Sequence, residues 1–404
     1  MIIKMAWRNI WRNKMRSLII ILSVSVGLFA GLMVLSIYKG MMEGRIKNVI
    51  EAEVGNIQVH HPEFKNDYEP AFTIEQPEKF ISFLKNQSDI SAYTTRSITQ
   101  GMLATTTGSS GIQINGIIYK EECMVSGLNK KLITGTGLDT KNDLEIIIGK
   151  KLADKMKLKK GNKLVLMFTD KSANLVSGAF RVAGVYQSDN APLDERNVYV
   201  QQKTLNNMLD IGAGFHEIVI LLHKNENTAD FKNMLQNQFS NYKVETWMEI
   251  SPETALLVNT VDVLSYIVIA IILFALAFGI VNTMLMAILE RTREIGMMLA
   301  LGFNKRKTFF LVLTETVLLT LAGSPIGLIT SWGLTFYLHQ HGMDWSGMGK
   351  EMMSSFGFNT MIYPSFPSEK ILSILSFVVG TAILSCIYPA LKAMQLQPVD
   401  ALRK

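Results

Sequence analysis

The residues whose types and spacing could do chemistry lie in one short polar stretch of the 404-residue sequence. It reads Glu-Arg-Thr-Arg-Glu-Ile-Gly from Glu290 to Gly296, and the basic run 305–307 follows soon after it. Long apolar segments flank it on both sides, and the sequence contains no catalytic constellation of nucleophile, base and orienting group. A charged, helix-forming bridge of this kind favours contact with a soluble protein partner that pushes on it. The alternative is a run of charges that are simply solvated.

Two other patterns could do chemistry, and their surroundings support neither. The pair His60-His61 could ligate a metal, but adjacent residues on a strand point to opposite faces of the sheet. No Cys-x-x-Cys or His-Glu-x-x-His pattern accompanies the pair, so we expect no metal site. The 404 residues also lack the Gly-x-x-x-x-Gly-Lys-Ser/Thr loop that cradles ATP phosphates. We therefore expect no cofactor in this chain, and we expect a partner to bind any ATP and magnesium.

The elements that position the bridge are expected to be membrane helices. The sequence is 48% hydrophobic and 18% charged, which is too apolar for an ordinary soluble protein. The apolar residues concentrate in four blocks, each longer than the roughly 20 residues that cross the hydrocarbon core. The blocks are 17–38, 263–289, 308–338 and 371–391. The first block is too long for a typical signal sequence and no small-residue cleavage site follows it, so we interpret it as a retained anchor.

The distribution of basic residues predicts the orientation of these helices. Segments 1–16, 290–307 and 392–404 together carry 13 basic and 3 acidic side chains, a net +10 against +6 for the whole chain. Because basic flanks stay on the cytoplasmic side, we expect both termini and the bridge to be cytoplasmic. The same excess explains the pI of about 9.0, so we expect no nucleic-acid partner. Trp7 and Trp11 at helical spacing predict an interfacial amphipathic helix or, alternatively, a plain basic flank.

A large domain is expected between the first and second blocks. Beyond a helical stalk, short β-branched runs alternate with helical patterns, which predicts an α+β domain of roughly 200 residues with a division near 120–140. The predicted fold is therefore a membrane α-helical protein with four transmembrane helices and a large α+β extracytoplasmic, periplasmic domain between helices 1 and 2. The predicted segments are an amphipathic helix (1–16), helix 1 (17–38), stalks and domain (39–260), helix 2 (263–289), the bridge (290–307), helix 3 (308–338), a periplasmic loop (339–370), helix 4 (371–391) and a cytoplasmic tail (392–404).

The third apolar block contains one charged residue, Glu315, and the sequence Gly-Ser-Pro-Ile-Gly from Gly323 to Gly327. A carboxylate within a membrane segment costs about 3 kcal/mol near the bilayer centre, which makes it a functional candidate. It lies about 12 Å along a helix from Lys307, so we favour a structural role at the inner interface or beside a basic group. The glycines and the proline predict a kink or a close approach between helices.

Several of these stretches resemble the FtsX/MacB/LolC-LolE superfamily of ABC-transporter permeases. The resemblance is carried by Trp-Arg-Asn-Ile-Trp-Arg-Asn (7–13), Ile-Val-Asn-Thr-Met (280–284), residues 290–302 and the tail 396–403. Within the large domain, residues 55–60, 146–153, 182–186 and 193–194 resemble the LolC/LolE lipoprotein-release branch. Two departures matter. The bridge reads more like that of MacB, and segment 169–179 is too short and polar for the hairpin that recruits a lipoprotein chaperone in that branch.

The resemblance implies that the bridge is a coupling helix that docks on a separate ATPase. The residues that would make this contact are Glu290, Arg291, Arg293, Glu294, Gly296, Ala300, Leu301 and Gly302. A short bridge, capped at Gly302 and joining two spanning helices without slack, would act as a rigid lever. The resemblance also implies a non-catalytic chain, a cytoplasmic ABC ATPase dimer as partner, and a second permease chain that is identical or homologous.

The resemblance leaves three functions open in the inner membrane of a Gram-negative-type cell. The large domain favours release of lipoproteins, with a lipoprotein substrate and a periplasmic carrier as partners. The bridge sequence and the short segment 169–179 favour a MacB-like efflux permease. An FtsX-like regulator of cell-wall hydrolases is disfavoured by the large domain. A membrane-anchored enzyme is disfavoured by the lack of a catalytic constellation.

Lipoprotein release requires an apolar surface for acyl chains, because each buried CH₂ contributes roughly 0.8 kcal/mol. The residues expected to face substrate or membrane lipids are Phe29, Met33, Ile37 and Met41 on the first helix and Val263, Ile267 and Ile271 on the second. We expect the two sets to oppose each other. The alternative is that these side chains pack against neighbouring helices or face bulk lipid.

Overall fold

The computed structural model describes residues 2–12, 14–74, 77–138, 142–300 and 304–395. These residues fall into two compact units. The membrane unit comprises Met1–Met42, Val258–Met343 and Ile362–Lys404, and the α+β unit comprises Glu43–Leu257 and Asp344–Met361.

Helices dominate the membrane unit and alternate with strands in the α+β unit. In chain order they are α1 (Ile2–Arg12), α2 (Lys14–Asn48), α3 (Phe64–Asp67), α4 (Pro77–Lys85), α5 (Tyr119–Ser126), α6 (Leu128–Lys131), α7 (Lys150–Lys155), α8 (Ala191–Arg196), α9 (Gln202–Leu209), α10 (Thr228–Gln238), α11 (Trp247–Ile250), α12 (Pro252–Glu290), α13 (Thr292–Ala300), α14 (Lys305–His341), α15 (Lys350–Ser355) and α16 (Ile371–Met394). Four of them are long and apolar enough to cross a membrane, namely α2, α12, α14 and α16. The prediction of four membrane helices is therefore confirmed.

Two glycines of α14 allow a close approach to α2 within the membrane unit. A Cβ atom added at Gly323 would lie 2.8 Å from the carbonyl oxygen of Ile21, and one added at Gly327 would lie 2.8 Å from the Cβ of Leu28. The hydroxyl of Ser25 also donates a hydrogen bond to the Gly323 carbonyl at 2.9 Å. The close helix approach that the glycines predict is thus present. Such contacts are typical of helices in lipid, where dispersion and hydrogen bonds replace the hydrophobic effect.

Ten of the described strands form one large sheet in the α+β unit, and the last two short strands pair separately. In chain order the strands of the described chain are β1 (Ile57–His60), β2 (Ile90–Thr105), β3 (Gly108–Ile117), β4 (Leu132–Gly135), β5 (Glu145–Gly149), β6 (Lys163–Thr169), β7 (Leu175–Tyr186), β8 (Asn197–Gln201), β9 (Glu217–Leu222), β10 (Lys243–Thr246), β11 (Met343–Asp344) and β12 (Met361–Ile362). The sheet order is β10-β1-β9-β2-β3-β8-β5-β7-β4, and β6 pairs with β2 and β7. Most pairs are antiparallel, whereas β3–β8 and β5–β7 are parallel. The predicted α+β class is confirmed.

The longest strand, β2, has no sequence pattern that predicts it. Residues 94–99 at its centre are all buried, yet five of these six residues are polar. Along this stretch β2 pairs with β9 up to Arg96 and with β3 from Arg96 onwards, so its backbone is hydrogen-bonded to a neighbouring strand throughout. The alternation of polar and apolar residues that marks a half-buried strand is therefore absent.

Two main hydrophobic clusters stabilise the α+β unit. One joins β1, β9 and β10 to α4 and α10, and includes Ile57 and Leu235. The other joins β3, β5, β6, β7 and β8 to α7 and α9, and includes Ile114 and Ile146. The predicted division near 120–140 is wrong, because residues on both sides of it belong to the second cluster. The first cluster instead combines the beginning and the end of the unit around an inserted central segment.

A π-helical turn, Val49–Val54, ends the stalk that follows α2 and is held to the sheet by buried charges. Arg45 Nη1 lies 2.7 Å from Glu53 Oε1, and Arg96 Nη1 donates to the Glu53 carbonyl at 3.3 Å. Arg96 also pairs with Glu122 and Glu217 at 2.8 and 3.3 Å. Burial by itself would lower the pKa of Arg96, but the two carboxylates outweigh burial and raise it. The turn is thus fixed to the sheet by these buried ion pairs and hydrogen bonds.

Candidate functional site at the bridge

The bridge folds as a separate short helix, α13, between the end of α12 and the start of α14. The side chain of Asn304 accepts a hydrogen bond from the Arg306 amide at 3.0 Å and caps the start of α14. Leu301 and Gly302, which were predicted as coupling residues, lie outside the described residues. The described part of the bridge is therefore helical from Thr292 to Ala300, and the next helix begins at Lys305.

The predicted coupling residues divide between an exposed and a buried face. Glu290, Arg293, Glu294 and Ala300 are exposed, whereas Arg291 and Gly296 are buried. Arg291 and Ile295 turn into the membrane unit, so charge does not cover every side of the bridge. Only the exposed face is available to a docking protein.

Arg291 forms an ion pair with Glu315 of α14, the carboxylate that the sequence places inside an apolar block. Arg291 Nη1 lies 3.2 Å from Glu315 Oε1 and 3.3 Å from Oε2, and both residues are less than 10% exposed. Arg291 Nη2 also donates to the carbonyl oxygen of Asn9 at 3.1 Å. The Arg291 guanidinium therefore links the start of the bridge to α14 and to α1. The predicted role of Glu315 beside a basic group agrees with this pairing.

The N-terminal helix α1 makes a second ionic contact with the bridge. Arg12 of α1 forms an ion pair with Glu294 of α13, and α1 packs along α14. Ala6 and Ile10 are buried in this contact, whereas Trp7 and Trp11 are exposed on the other side. This division is that of an amphipathic helix, which buries one face against the membrane unit and exposes the other.

Asn9 and Arg12 are functional candidates that the sequence reasoning missed. The available signal was charge complementarity, since the cations of α1 recur along one face and the bridge carries two exposed carboxylates. That signal does not determine which cation meets which carboxylate. Asn9 contributes only its backbone carbonyl, so its side chain carries no signal at all.

The residues predicted to face lipid occupy two different environments. Phe29, Met33, Ile37 and Met41 are partly buried, and the Met33 sulfur accepts a hydrogen bond from Thr335 of α14 at 3.5 Å. Val263, Ile267 and Ile271 are 59%, 50% and 64% exposed within the chain. The first set is therefore at least partly packed within the chain, and the second set forms an open apolar face of α12.

Within the chain, the contact between α2 and α12 does not involve these two sets, and their opposition stays a prediction. The contact between α2 and α12 uses a different face, on which a Cβ atom added at Gly31 would lie 2.8 Å from Ile272. Leu28 and Leu276 belong to the same buried cluster. The glycine side of the first helix therefore meets the second helix, and a side chain at position 31 would displace that of Ile272.

His60 and His61 serve different local structures. His60 Nε2 lies 2.8 Å from Glu245 Oε2, and His61 stacks on Phe72 with ring centroids 4.9 Å apart. Hydrogen bonding to His60, followed by Lys243 and Lys65, holds the pKa of Glu245 well below its usual value. The histidine pair is thus engaged in strand packing and in an ion-pair cluster.

Comparison with known families matches nearly the whole chain. Residues 17–238, more than half of the 404, match the model of the MacB-like periplasmic core domain. Residues 266–398 match the model of the FtsX-like permease C-terminal region. The first match covers most of α2 and most of the α+β unit, and the second covers the bridge and most of the last three membrane helices.

Individual relatives differ in their described roles. An uncharacterized ABC transporter permease, YvrN of Bacillus subtilis, is 24% identical over 99% of this chain and 98% of its own length. The macrolide export ATP-binding/permease protein MacB of Campylobacter jejuni is 23% identical over 99% of this chain, which spans 61% of that protein. The lipoprotein-releasing system transmembrane protein LolC of Neisseria meningitidis is 21% identical over 97% of this chain and 95% of its own length.

Two solved structures, one of a periplasmic region and one of an extracellular domain from Gram-positive bacteria, are also similar. The periplasmic region of MacB from Actinobacillus actinomycetemcomitans is 17% identical, with a TM-score of 0.36, over 51% of this chain and 94% of that structure. The extracellular domain of YknZ is 16% identical, with a TM-score of 0.33, over 47% and 99%. Two family models match the chain, which has four candidate membrane helices and a large α+β domain between the first two. The chain therefore belongs to the MacB/FtsX/LolC family of ABC transporter permeases.

Proposed function

We propose that the bridge of this permease is the docking site of a cytoplasmic ABC ATPase and passes its motion to the membrane helices. The single observation that carries this proposal is the double attachment of the bridge. Arg291 joins it to Glu315 of α14, and Glu294 joins it to Arg12 of α1. A segment tied at both points moves with its neighbours as one body, which is what transmission of force requires.

The exposed face of α13 supplies the contact surface. Arg293, Glu294 and Ala300 lie there, and Glu290 is exposed at the end of α12. Charges of both signs favour a protein partner with complementary charges. A permease of this family implies an ATPase partner. In the proposed assembly two ATPase subunits bind ATP and magnesium, two permease chains, identical or homologous, form the membrane part, and this chain does no catalysis.

Photo-crosslinking tests the docking site. A crosslinking amino acid at Ala300, on the exposed face of α13, should capture the ATPase subunit. The same amino acid at Phe278, which is 64% exposed on α12, serves as the control and should capture lipid or another membrane protein. Capture of the ATPase at both positions, or at neither, would contradict the proposal.

The proposed orientation places both termini and the bridge in the cytoplasm and the α+β unit outside an inner membrane. The net charge of +10 on segments 1–16, 290–307 and 392–404 supports it. The MacB-like periplasmic core domain, at residues 17–238, supports the same arrangement.

For the substrate we propose lipoproteins, which would be released from the inner membrane towards a periplasmic carrier. The supporting observation is the open apolar face of α12, where Val263, Ile267 and Ile271 continue into Phe274 and Phe278, which are 68% and 64% exposed. Residues spaced by three or four positions share one side of a helix, so these five form a continuous stripe. Acyl chains need such a surface, because their transfer is driven by apolar area.

A MacB-like efflux function is the second candidate, and one observation favours it. Strands β6 and β7 form a tight hairpin connected only by residues 170–174, and Asp170 closes the turn by accepting bonds from the Ser172 and Asn174 amides. The hairpin thus has no protruding extension of the kind that recruits a lipoprotein chaperone. In this alternative the α+β unit would work on soluble substrates.

Photo-crosslinkers on the stripe distinguish the two substrates. At Ile267, adducts with lipoproteins that disappear when their acyl chains are removed would support release. Leu384 of α16 is 70% exposed and serves as the control for contact with bulk lipid. Equal lipoprotein adducts at Ile267 and Leu384, or export of a soluble compound that depends on this chain, would favour efflux.

A further inference from the structure

A cavity of about 490 Å³ lies beside the Arg291–Glu315 pair in the membrane unit. Its walls come from α1, the end of α12, α13 and the first turns of α14. The volume falls within the range of roughly 300–1,000 Å³ that is typical of sites for small molecules. The apolar wall includes Met284, Met297 and Met298, whose unbranched side chains adapt to ligands of different shape.

Two deeply buried polar atoms of the cavity wall have no hydrogen-bond partner among the residues that the structure describes. They are Nε of Arg291 and Oγ1 of Thr308. Arg291 is 8% exposed and Thr308 is 1% exposed, and both line the cavity. A buried donor without a partner costs free energy, so two of them at one cavity indicate that a bound group completes them.

The charges around the cavity determine which group fits. Arg12 and Arg291 line it, and each arginine already faces a carboxylate, Glu294 and Glu315 respectively. The four side chains sum to no net charge. An anionic or cationic head group would therefore be repelled by one member of each pair. An uncharged hydrogen-bond acceptor would meet the free Nε–H of Arg291 and the hydroxyl of Thr308 without that repulsion.

We propose that this cavity binds a small uncharged amphiphile with a carbonyl or ester oxygen. Its acceptor oxygen takes hydrogen bonds from Arg291 Nε and Thr308 Oγ1, and its apolar body packs against Met284, Met297 and Met298. Because the walls belong to α1, α13 and α14, an occupied cavity links the bridge more tightly to both neighbours. The ligand thus regulates how rigidly the bridge is held. This inference does not depend on what docks on the exposed face of the bridge.

Three photoactivatable probes that share one alkyl chain test the head-group preference on the purified full-length chain. They are a monoacylglycerol, a fatty-acid anion and an alkylammonium cation. We expect the monoacylglycerol to label the peptides that carry Met284, Met297 and Met298 several-fold more than the other two probes do. Equal labelling by all three would contradict the proposal, because it would indicate simple partition into an apolar space.

Substitutions locate the labelling within the cavity. Thr308→Val keeps the volume of the side chain and removes its hydroxyl, and should lower labelling about five-fold, as expected for one ordinary hydrogen bond. Met298→Trp fills the cavity and should abolish labelling. Met286→Trp is the matched control, because Met286 is 57% exposed on α12 and does not line the cavity. This control should label like the unmodified chain, which also shows that a tryptophan at this depth is tolerated.

Two outcomes would overturn the assignment. Unchanged labelling of Thr308→Val and Met298→Trp would place the probe elsewhere. If the ATPase subunit displaced the monoacylglycerol probe and Met298→Trp abolished ATPase binding, the cavity would belong to the protein docking surface. Normal ATPase binding by Met298→Trp, together with lost labelling, supports a separate ligand site.

Discussion

Arg291 Nη1 lies 3.2 Å from Glu315 Oε1, so the first residue after α12 is joined to the third turn of α14 across 24 residues of sequence. Both side chains are buried, and the same guanidinium also holds the Asn9 carbonyl of α1. A buried ion pair adds little net stability, because desolvation offsets the Coulomb attraction. Its value here is specificity: it fixes how the bridge meets two other helices.

The contributions of Arg291 and Glu315 to stability should be coupled. Glu315→Gln or Arg291→Gln leaves one buried charge without its partner and should destabilise the protein by about 3–5 kcal/mol. The double variant Arg291→Gln/Glu315→Gln removes both charges and should recover most of that loss. Thermal unfolding of the purified protein measures all three, analysed as a double-mutant cycle. Additive losses would show that the pair carries no coupling.

The close approach of α14 to α2 should depend on Gly323. Gly323→Ala would bring a methyl group within 2.8 Å of the Ile21 carbonyl oxygen, so we expect a loss of about 1–3 kcal/mol from overpacking. Gly333→Ala is the matched control on the same helix, because a Cβ atom there meets nothing within 4 Å. The control should be neutral or slightly stabilising, since alanine favours helix. Similar unfolding temperatures for both variants would contradict the proposed contact.

The α+β unit should lose stability in mild acid through His216. Its Nδ1 accepts a hydrogen bond from the Ile98 amide at 2.9 Å and its Nε2 donates to the Pro70 carbonyl at 3.0 Å, which requires the neutral ring. Burial lowers the pKa of His216 from 6.5 to about 4. The contribution of the neutral His216 ring to the free energy of unfolding is therefore complete above pH 6.5. It is lost as the pH falls towards 4, and the loss amounts to about 3 kcal/mol. His216→Gln should remove this part of the pH dependence.

Asp194 should change the free energy of unfolding with pH in the opposite direction to His216, and it serves as the comparison. Burial raises the pKa of its carboxyl to about 6, so ionisation destabilises the folded state as the pH rises from 3.8 to 6. The Asp194→Asn variant should therefore lose unfolding free energy more steeply than the unmodified protein as the pH falls. Urea unfolding followed by the fluorescence of Trp247, which is 2% exposed, measures both variants once the other tryptophans are replaced. An unchanged pH profile in His216→Gln would contradict the histidine assignment.

The orientation can be tested with reporters. An enzyme reporter that is active only outside the cytoplasm should be active when inserted near Asn142 in the α+β unit. The same reporter fused after Lys404 should be silent. The reverse pattern would overturn the topology inferred from the basic segments.

The sequence predicts best what depends on local composition. The four membrane helices follow from the length of the apolar blocks, and the α+β class follows from alternating short runs. Strand β2 is not predicted because five of the six buried residues at its centre, 94–99, are polar, and it is the pairing with β9 and β3 that makes this segment a strand. The burial of Arg291 is also not predicted from the sequence, because its partner Glu315 is 24 residues away. Nothing in the sequence distinguishes Arg291 from the charged residues beside it. Tertiary pairing decides which charges turn inward.

The transmission of ATPase motion through the bridge is tested most directly by a distance measurement. Spin labels at Leu175, which is 75% exposed on β7, report the separation of the two α+β units in a reconstituted permease dimer. ATP trapping should change this distance in the unmodified complex and not in Glu294→Lys, which reverses one charge of the bridge. Arg12→Glu/Glu294→Lys restores an opposite-charge pair and should recover the change. A full ATP-dependent change in Glu294→Lys, with the ATPase bound and hydrolysing normally, would contradict coupling through the bridge.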